Sequence, residues 1–361
     1  MANFTGQLNS NEIFSAMYNM IISQEVFADN VYDTKSSLVD MSRVDGGLYG
    51  DTKLFYATDV LESTEWGNDA EAENLLALHR PPAPDCQAIT LDNFRQISLT
   101  VDDYLSKRAW STPDAFNSFN SIMLGWIRDT KRVYDSTTFN SYIGTAESNV
   151  GLQEITITLP TVADNPEAQA RMQAQTIAKT MSDLMVNLED VSRDYNDYAN
   201  LRSYNSDDLI AVWRSGAVNS ITKLDLPTIF HKDNMIDKFG EYTLPDRYFG
   251  RVNTSSGTTG ASNTTVRSLV EKDFGTKHCF PGDLLPSSQA YGANETYTVD
   301  DTILFKIMHK RSVPYMSAFE VGTSFFNSKS LTTNHYLTWG YNTLQYLQNY
   351  PFITVRSSTA I

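Results

Sequence analysis

The sequence predicts an α+β fold, because it contains segments with helical periodicity and separate segments rich in β-forming residues. Two stretches repeat apolar residues every three or four positions, as on one face of a helix: Phe116, Phe119, Met123 and Trp126, and then Ile177, Met181, Leu184 and Leu188. Two C-terminal segments, Asp301–Phe326 and Tyr336–Val355, favour strands through their Ile, Phe, Tyr, Thr and Val. No repeat of fixed period is visible, and 361 residues suffice for one large or two ordinary domains.

The first part of the chain predicts an amphipathic helix followed by a long two-stranded arm. Ser10–Val31 carries an apolar stripe, and the turn-rich segment Asp40–Lys53 follows it. Leu54–Thr64 and Gln87–Leu105 are typical of strands, and the connection Trp66–Asp85 is acidic at first and proline-rich at its end. Such a hairpin is marginal alone and needs a partner, which another chain could supply.

Two helices with proline in the first turn are predicted next. Ser111 or Thr112 caps the first, which Pro113 opens. Asn165 caps the second, whose apolar stripe continues to about Tyr198. This spacing leaves a coiled coil open, but the proline-rich loop and strand beside it favour a packed spine helix.

The segment Asp207–Pro227 poses the question of a phosphate site. Leu209–Trp213 predicts a strand, and a helix follows the turn at Gly216; nucleotide-binding enzymes use such a helix start to hold phosphate. A dinucleotide-binding turn needs several glycines, however, and Gly216 stands alone. Ser215 is predicted as an ordinary N-cap and Lys223 suits the C-terminal end, so a structural role is favoured.

The remaining segments predict a short strand, a polar loop and a β-rich end. Ile155, Ile157 and Leu159 alternate in Glu154–Leu159, as in a strand. Thr254–Thr265 is a polar, low-complexity loop. Turns are predicted at three places in the C-terminal region: Ser312–Pro314, Asn327–Ser328 and Asn349–Pro351.

Composition excludes several classes of protein. A hydrophobic content of 41% excludes wholesale disorder, and a net charge of −15 argues against a nucleic-acid binder and against binding to anionic membranes. The two cysteines, Cys86 and Cys279, could pair or stay free, but they are too few for a disulfide framework. We find no signal peptide and no apolar run long enough to span a bilayer, so an intracellular product is expected.

No constellation predicts catalysis, a cofactor or a metal. The five histidines are scattered: His79, His231, His278, His309 and His335. Asp194–Leu209 is rich in oxygen ligands, yet it lacks the glycine and glutamate of an EF-hand and is predicted as a connecting loop. The acidic pairs Asp207-Asp208 and Asp300-Asp301 are expected to solvate loop ends, and the glycines of Gly257–Asn263 lack the Gly-Lys-Ser/Thr ending of a phosphate-binding loop.

In its order of segments the chain resembles the major capsid proteins of tailed bacteriophages, which have the HK97-type shell fold, and within them those of small short-tailed phages. The run Asn165–Asp233, with LIAVWRSGAVNSI at its centre, is similar to the junction between the spine helix and the axial domain. The ending His335–Val355 resembles the aromatic, strand-rich ends of the same group.

The resemblance implies a domain division. Residues 1–44 would be the N-terminal arm and 45–110 the E-loop arm. Residues 111–206 would be the peripheral domain with its spine helix, and 207–361 the axial domain with a return to the periphery. Lys53 and Lys107 flank the arm, but neither is assigned a role in the covalent cross-linking known in some members.

The implied function is a major capsid protein, not an enzyme, that self-assembles into an icosahedral shell around double-stranded DNA without binding it specifically. Its expected partners are copies of itself in hexamers and pentamers, a portal protein, and minor capsid or separate scaffolding proteins. The arm helix begins within ten residues of the start, so no scaffolding segment is expected in the chain itself. Assembly in the host cytoplasm and a place in the virion follow. A nanocompartment shell protein, another virion protein and a cytoplasmic enzyme are the alternatives.

Overall fold

The computed structural model describes residues 38–47, 51–63, 78, 80–102, 113–148, 153–162, 165–222, 240–254, 290–292 and 295–359. Within these ranges the helices are α1 (Leu38–Ser42), α2 (Pro113–Thr145), α3 (Pro166–Glu189) and α4 (Ser215–Thr222). The strands are β1 (Arg43–Asp45), β2 (Thr52–Ala57), β3 (Asp85–Asp102), β4 (Glu154–Ile157), β5 (Leu209–Arg214), β6 (Gly240–Leu244), β7 (Gly250–Thr254), β8 (Ala290–Gly292), β9 (Glu295–Val299), β10 (Ile303–His309), β11 (Tyr315–Asn327), β12 (Thr332–Asn342) and β13 (Phe352–Ser357). The described part is thus α+β, as predicted.

The long sheet has the strand order β1-β11-β12-β3-β2. β2 pairs with β3 only between Asp85 and Thr90, and β1 pairs with β11 only between Tyr315 and Ser317. Beyond these short pairings β3, β12 and β11 continue together as an antiparallel structure. We call this three-stranded part the ribbon; it consists of Arg95–Asp102, Glu320–Asn327 and Thr332–Trp339.

The predicted hairpin is confirmed, and its second strand also pairs with another strand of the same chain. β2 and β3 pair antiparallel from Thr52 opposite Thr90 to Ala57 opposite Asp85. Leu91–Asp102, the part of β3 beyond its pairing with β2, pairs with β12 of the same chain. Backbone N–H and C=O groups need partners, and the C-terminal strands provide them here. Most of the connection Trp66–Asp85 lies outside the described residues.

The central sheet has the order β4-β13-β10-β5-β6 and forms the middle layer of the described structure. Every residue of β5 and β13 is buried, which explains why β5 is a continuous apolar run in the sequence. Leu209 and Ala211 face the core cluster that contains α3, while Ile210 and Val212 face the cluster that contains the C-terminal half of α2. β7, β9 and β8 form a separate small sheet.

Helix α3 begins as predicted. The Asn165 side chain accepts a hydrogen bond of 3.1 Å from the backbone N–H of Ala168, and proline follows in the first turn. The predicted stripe is buried against the central sheet from Ile177 to Leu188, and these two residues are almost fully enclosed. The helix therefore packs within its own chain, as the spine-helix alternative predicts.

The predicted end of this helix at Tyr198 is wrong, since α3 ends at Glu189. Asp190 has an extended backbone, and its side chain accepts a hydrogen bond from the N–H of Val191. A side chain that bonds its own neighbouring backbone competes with the helix, and Val191 is exposed to solvent. The heptad spacing of apolar residues continues in the sequence beyond Asp190, but the backbone leaves the helix at that residue.

The three predicted turns in the C-terminal region are confirmed. β10 ends at His309 and β11 begins at Tyr315; β11 ends at Asn327 and β12 begins at Thr332. The third turn directly precedes β13. Several other predictions lie outside the described residues: the helix Ser10–Val31, the cap at Ser111 or Thr112, and all but the first residue of the loop Thr254–Thr265.

Candidate assembly surface

The helix start that resembles a phosphate-binding turn is occupied by a carboxylate of the chain itself. Asp246 Oδ1 accepts hydrogen bonds from the Gly216 backbone N–H at 2.6 Å and from the Ser215 hydroxyl at 2.9 Å. A Cβ on residue 216 would lie only 2.6 Å from Asp246 Oδ2, so glycine permits this approach. Ser215 is therefore the first helical residue rather than the predicted cap, and the structural role of the turn is confirmed.

A buried arginine supports the same turn. Arg214 donates from Nε to the Ile303 carbonyl at 2.7 Å and from Nη2 to the Asp301 carbonyl at 2.9 Å. Its Nη1 lies 3.3 Å from Asp301 Oδ1 and 3.6 Å from Asp246 Oδ2. Arg214 thus joins β5 to the start of β10 and balances the carboxylate at the helix start.

The expectation that Asp300-Asp301 only solvates a loop end is wrong. Asp301 pairs with Arg214, and Asp300 Oδ2 lies 2.5 Å from Arg356 Nη1. Burial acts to raise the pKa of Asp300, but hydrogen bonds from Thr302 and the charge of Arg356 outweigh it and hold that pKa below its usual value. Arg356 also contacts Glu147 and Glu154, so it joins four segments at one end of the central sheet. Asp207-Asp208, in contrast, is exposed as expected.

The described histidines lie apart and do not form a metal site. His335 lies on the ribbon, while His309 at the end of β10 stacks on Tyr350 with 4.4 Å between ring centroids. His309 Nδ1 accepts a hydrogen bond of 3.0 Å from the N–H of Arg311. Within the described ranges, no group of three or more His, Cys, Asp or Glu residues could hold a metal ion. The other three histidines and Cys279 lie outside those ranges.

The loop Asp194–Leu209 bonds its own backbone, as predicted. Asn196 Oδ1 accepts from the N–H of Asn200 at 2.8 Å, and Asn205 Oδ1 accepts from the N–H of Asp207 at 3.2 Å. Asp197 instead reaches other elements, because it accepts hydrogen bonds from Tyr346 and Gln153. These bonds lower the pKa of Asp197, but burial outweighs them and raises it.

The base of the arm is fixed to this loop. Asp59, just after β2, accepts a hydrogen bond from the N–H of Leu201 at 2.9 Å and contacts Arg193 Nη1 at 2.6 Å. Arg202 donates to the Thr58 carbonyl at 2.6 Å. The backbone hydrogen bond from Leu201, together with Arg193, lowers the pKa of Asp59 to about 2. The chain therefore leaves β2 in a defined direction.

One face of the arm hairpin is apolar and uncovered in the single chain. Leu54 is 49% exposed and Tyr56 is 64% exposed, although both belong to a strand. Opposite them on β3 stand Ala88 and Cys86, which are exposed as well. Phe55, on the other face, packs against a buried cluster around Ile89. An apolar face beside a covered one indicates a contact surface.

The ribbon is the second uncovered surface. All seven residues of β11 from Glu320 to Phe326 are exposed, and the exposed fractions reach 64% at Phe325 and 52% at Phe326. Consecutive strand residues point to opposite faces, so the ribbon is uncovered on both sides along β11. Lys329 and Leu331, in the turn beyond β11, are exposed too.

The base of the ribbon, in contrast, is held firmly. Asp135 on α2 is buried and accepts a hydrogen bond of 2.7 Å from the Tyr315 hydroxyl. Lys131 Nζ lies 3.1 Å from Asp135 and 3.3 Å from Glu320, and Arg43 on β1 lies 3.5 Å from Asp135. Burial first, and then the adjacent carboxylate, raise the pKa of Tyr315 far above its usual value. An exposed surface on a rigid base is suited to binding without large ordering costs.

A groove of about 470 Å³ runs between the ribbon and helix α2. Ile127 and Arg128 of α2 form one wall, and Glu320, Gly322 and Leu337 are among the residues of the other. A Cβ added at Gly322 would meet no atom within 4 Å, so this side of β11 is open. The groove and the open side of β11 are thus surfaces that another molecule can contact.

The family is decided by the sequence model of the Phi29-like phage major capsid protein family, which matches residues 2–353. The chain belongs to this family. It is a phage major capsid protein, a component of the virion that assembles into shell oligomers. Among curated protein sequences, none is recognisably similar to this capsid protein.

Solved capsid structures show the same fold. A chain of the capsid of Staphylococcus phage Andhra is 12% identical with a TM-score of 0.57, over 99% of this chain and 96% of that one. A chain in the structure of the head fiber and inner core protein gp22 of native bacteriophage P68 is 10% identical with a TM-score of 0.60, over 93% of this chain and 89% of that one. The capsid protein therefore has the HK97-type fold, as the resemblance implies. In the described part of the chain, no helix combines the length and apolarity needed to cross a membrane.

The ribbon was missed at the level of sequence. Its strands come from β3, β11 and β12, and β3 precedes β11 by more than two hundred residues. A local signal exists in Phe325-Phe326, two adjacent aromatic residues beside a predicted turn. Adjacent residues of a strand cannot both face one core, so this pair could have indicated a strand exposed on both faces.

Proposed function

We propose that this capsid protein builds an icosahedral shell of hexamers and pentamers around the double-stranded DNA of a small short-tailed phage. The observation that supports this most directly is the apolar surface that the single chain leaves uncovered, on the arm hairpin and on the ribbon. Exposed apolar strands are a liability for a monomer, but in a shell they are covered by neighbouring copies.

The arm is proposed to overlap an adjacent subunit. Its base is fixed by Asp59 and Thr58, while Leu61, before the arm's connection, and Leu78, within it, are 72% and 82% exposed. A fixed base with apolar residues beyond it suits an arm that reaches over a neighbour. Many modest overlaps of this kind, repeated around the shell, would supply the free energy of assembly.

The contents and partners follow from charge and from the family. A net charge of −15 lets packaged DNA move along the inner surface without adhering to it, and specific DNA binding is not expected. A portal protein and minor capsid or separate scaffolding proteins are the expected partners, and no catalytic activity is proposed. The subunits would assemble in the host cytoplasm.

The domain division stays a prediction: residues 1–44 as N-terminal arm, 45–110 as E-loop arm, 111–206 as peripheral domain and 207–361 as axial domain. The central sheet bears on the boundary between residues 206 and 207. β4 and α3 precede residue 207, yet β4 pairs with β13 and α3 packs on β5. A peripheral domain and an axial domain that share the central sheet would move together.

Electron microscopy of the expressed protein tests the proposal, with a variant in which a short Gly-Ser linker replaces Trp66–Pro84. The linker leaves Asp85 in place, whose carboxylate accepts a hydrogen bond of 3.1 Å from Asn200. We expect closed shells from the wild type and folded but unassembled subunits from the variant. Normal particles from the variant would contradict the role of the arm, and a wild type that stays monomeric in every condition would contradict the shell.

A further inference from the structure

We infer that the loop of residues 190–202 is a positioning element: it fixes the direction of the arm relative to the central sheet, and this direction sets the diameter of the shell. We call these residues the anchoring loop. The inference rests on the proposed shell function and adds which residues control the geometry of assembly. Three observations carry it: hydrogen bonds to both ends of the connection between β2 and β3, a conformation of the loop that its own bonds determine, and bonds from the loop to the central sheet.

On the outgoing side, the anchoring loop binds the two residues that directly follow β2. Arg202 donates to the Thr58 carbonyl at 2.6 Å, and the backbone N–H of Leu201 donates to Asp59 at 2.9 Å. Arg193 adds a hydrogen bond of 2.6 Å to the same carboxylate. Each of these bonds has an ionised partner, and such bonds are stronger than those between neutral groups. The chain therefore leaves β2 in one direction.

On the returning side, the anchoring loop binds the first residue of β3. Asn200 Nδ2 donates a hydrogen bond of 3.1 Å to the Asp85 carboxylate. Asp85 pairs with Ala57, the last residue of β2, so this bond lies where the connection re-enters the hairpin. Attachment at one end would leave the connection free to swing about that point. Attachment at both ends restricts its direction.

The conformation of the anchoring loop is determined by its own hydrogen bonds. Ser192 and Arg202 exchange two backbone hydrogen bonds of 2.9 Å each. The buried Asn196 accepts from the N–H of Asn200 at 2.8 Å and donates to the carbonyl of Asn200 at 2.7 Å. Between them, Ala199 has a φ of 54°, a left-handed conformation that residues other than glycine keep only where the surrounding structure enforces it. The loop is therefore rigid.

Asp197 connects the anchoring loop to the central sheet. Its backbone N–H donates to the Gln348 carbonyl at 2.8 Å, and its carboxylate accepts from the Tyr346 hydroxyl at 2.6 Å and from Gln153 Nε2 at 2.7 Å. Gln153 is fully buried, and its Oε1 accepts a hydrogen bond of 2.8 Å from the N–H of Phe352, the first residue of β13. Hydrogen bonds thus lead from the arm through the loop to the central sheet.

The bonds to the arm affect geometry more than the stability of the subunit. The side chain of Arg193 is 49% exposed and that of Asp59 is 24% exposed. Exposed ion pairs contribute little to the free energy of unfolding, because water and salt screen them. In a shell, however, every arm that overlaps a neighbour transmits its direction to the angle between the two subunits. That angle determines how the surface closes, and therefore its diameter.

Distance measurements in free subunits test the positioning role without requiring shells. Spin labels would be attached at Leu61→Cys in the arm and at Val186→Cys on the exposed side of α3, after both native cysteines are replaced by serine. Electron paramagnetic resonance should give a narrow distribution of distances in this background. Asp59→Ala should widen the distribution about twofold, because the arm then moves relative to α3.

Two further variants control this measurement. Asp208→Ala removes another exposed carboxylate, which lies 3.9 Å from Lys310, and should leave the width unchanged. Asp59→Asn keeps an acceptor for the N–H of Leu201 but loses the charge that faces Arg193, so we expect an intermediate width even if Asp59→Ala fails to fold. A distribution as narrow as that of the background in both Asp59 variants would overturn the inference.

Electron microscopy of shells tests the link between arm direction and diameter. We expect one diameter from the wild type and from Asp208→Ala. Asp59→Ala should give a spread of diameters roughly threefold larger, although the thermal unfolding of its free subunits changes little. Uniform shells from a variant with a widened distance distribution would overturn the control of diameter. A wild type without shells would contradict the proposed function, whereas the distance measurements would still decide whether the loop positions the arm.

Discussion

At the scale of single residues, the capsid protein uses charged and polar side chains to hold distant segments together. Arg214 and Arg356 are buried and bind carboxylates from distant segments. Asp135 accepts a hydrogen bond from the hydroxyl of Tyr315, and Asp197 accepts one from the side-chain amide of Gln153. Each of these groups connects elements far apart in sequence, and a buried charge is tolerated because it is paired with opposite charges or hydrogen-bonding groups.

His309 gives a prediction about pH. Burial lowers its pKa to about 4, below the model-peptide value of about 6.5, against an opposing effect of Asp208 and with help from Arg311 and Lys310. Between these two pH values the unfolded chain binds a proton on His309, whereas the folded state keeps His309 neutral. The contribution to stability is complete above pH 6.5 and is lost as the pH falls towards 4.

We expect wild-type subunits to lose about 1–2 kcal/mol of unfolding free energy through this group between pH 6.5 and 4.5, after allowance for its partial exposure. Urea unfolding of free subunits at several pH values measures it. His309→Phe should flatten the curve in that window, whereas Tyr350→Phe, which keeps the stacked ring, should not. An unchanged slope in His309→Phe would show that other groups set the pH dependence.

At the scale of elements, the strongest determinant is the apolar face of α3. Its stripe packs against β5, β10 and β13 of the central sheet. On the opposite side of the same helix Val186 is 64% exposed. A helix with one buried and one solvent-facing side is stabilised mainly by tertiary packing rather than by its own propensity.

Leu184→Asp should abolish the folded subunit. Leu184 is 4% exposed, and a carboxylate there would be buried without a partner, at a cost of several kcal/mol that approaches the whole stability of a domain. Val186→Asp, two residues away on the exposed side, is the matched control and should change the stability by less than about 0.5 kcal/mol. Soluble yield and circular dichroism measure both. A folded Leu184→Asp subunit would contradict the core assignment of this face.

At the scale of the whole molecule, charge opposes assembly and apolar strands favour it. Copies with a net charge of −15 repel one another in dilute salt. Salt screens this repulsion, since the Debye length falls from about 30 Å at 0.01 M to about 3 Å at 1 M. Apolar burial between strands is not weakened by salt in this way.

Assembly of purified subunits should therefore be faster and more complete at about 0.5 M salt than at about 0.02 M. Light scattering at fixed protein concentration measures the rate, and electron microscopy confirms that the scattering particles are shells. If low salt gave the faster assembly, attraction between opposite charges on neighbouring copies would dominate instead.

Local chemistry made part of this structure predictable. The cap at Asn165, the stripe of α3, the buried strand β5 and the three C-terminal turns depend on neighbouring residues and were predicted correctly. The end of α3 was not, because the heptad spacing continues beyond Asp190 although the backbone leaves the helix there. The cap of α4 was assigned to Ser215, since the true partner, Asp246, lies thirty-one residues away.

The sequence by itself determined the α+β class, the hairpin, the structural role of the Asp207–Pro227 segment, and the resemblance to phage capsid proteins. The first three follow from periodicity, capping and turn chemistry, which act over a few residues, whereas the resemblance rests on the order of segments and on the run Asn165–Asp233. Only the tertiary structure decided that β3 pairs with β12, that no described residue pairs with the outer side of β11 beyond Ser317, and that a groove lies between β11 and α2. Strand pairing joins residues hundreds of positions apart through backbone groups that are alike in every residue. The side chains of one strand therefore do not specify which strand it meets.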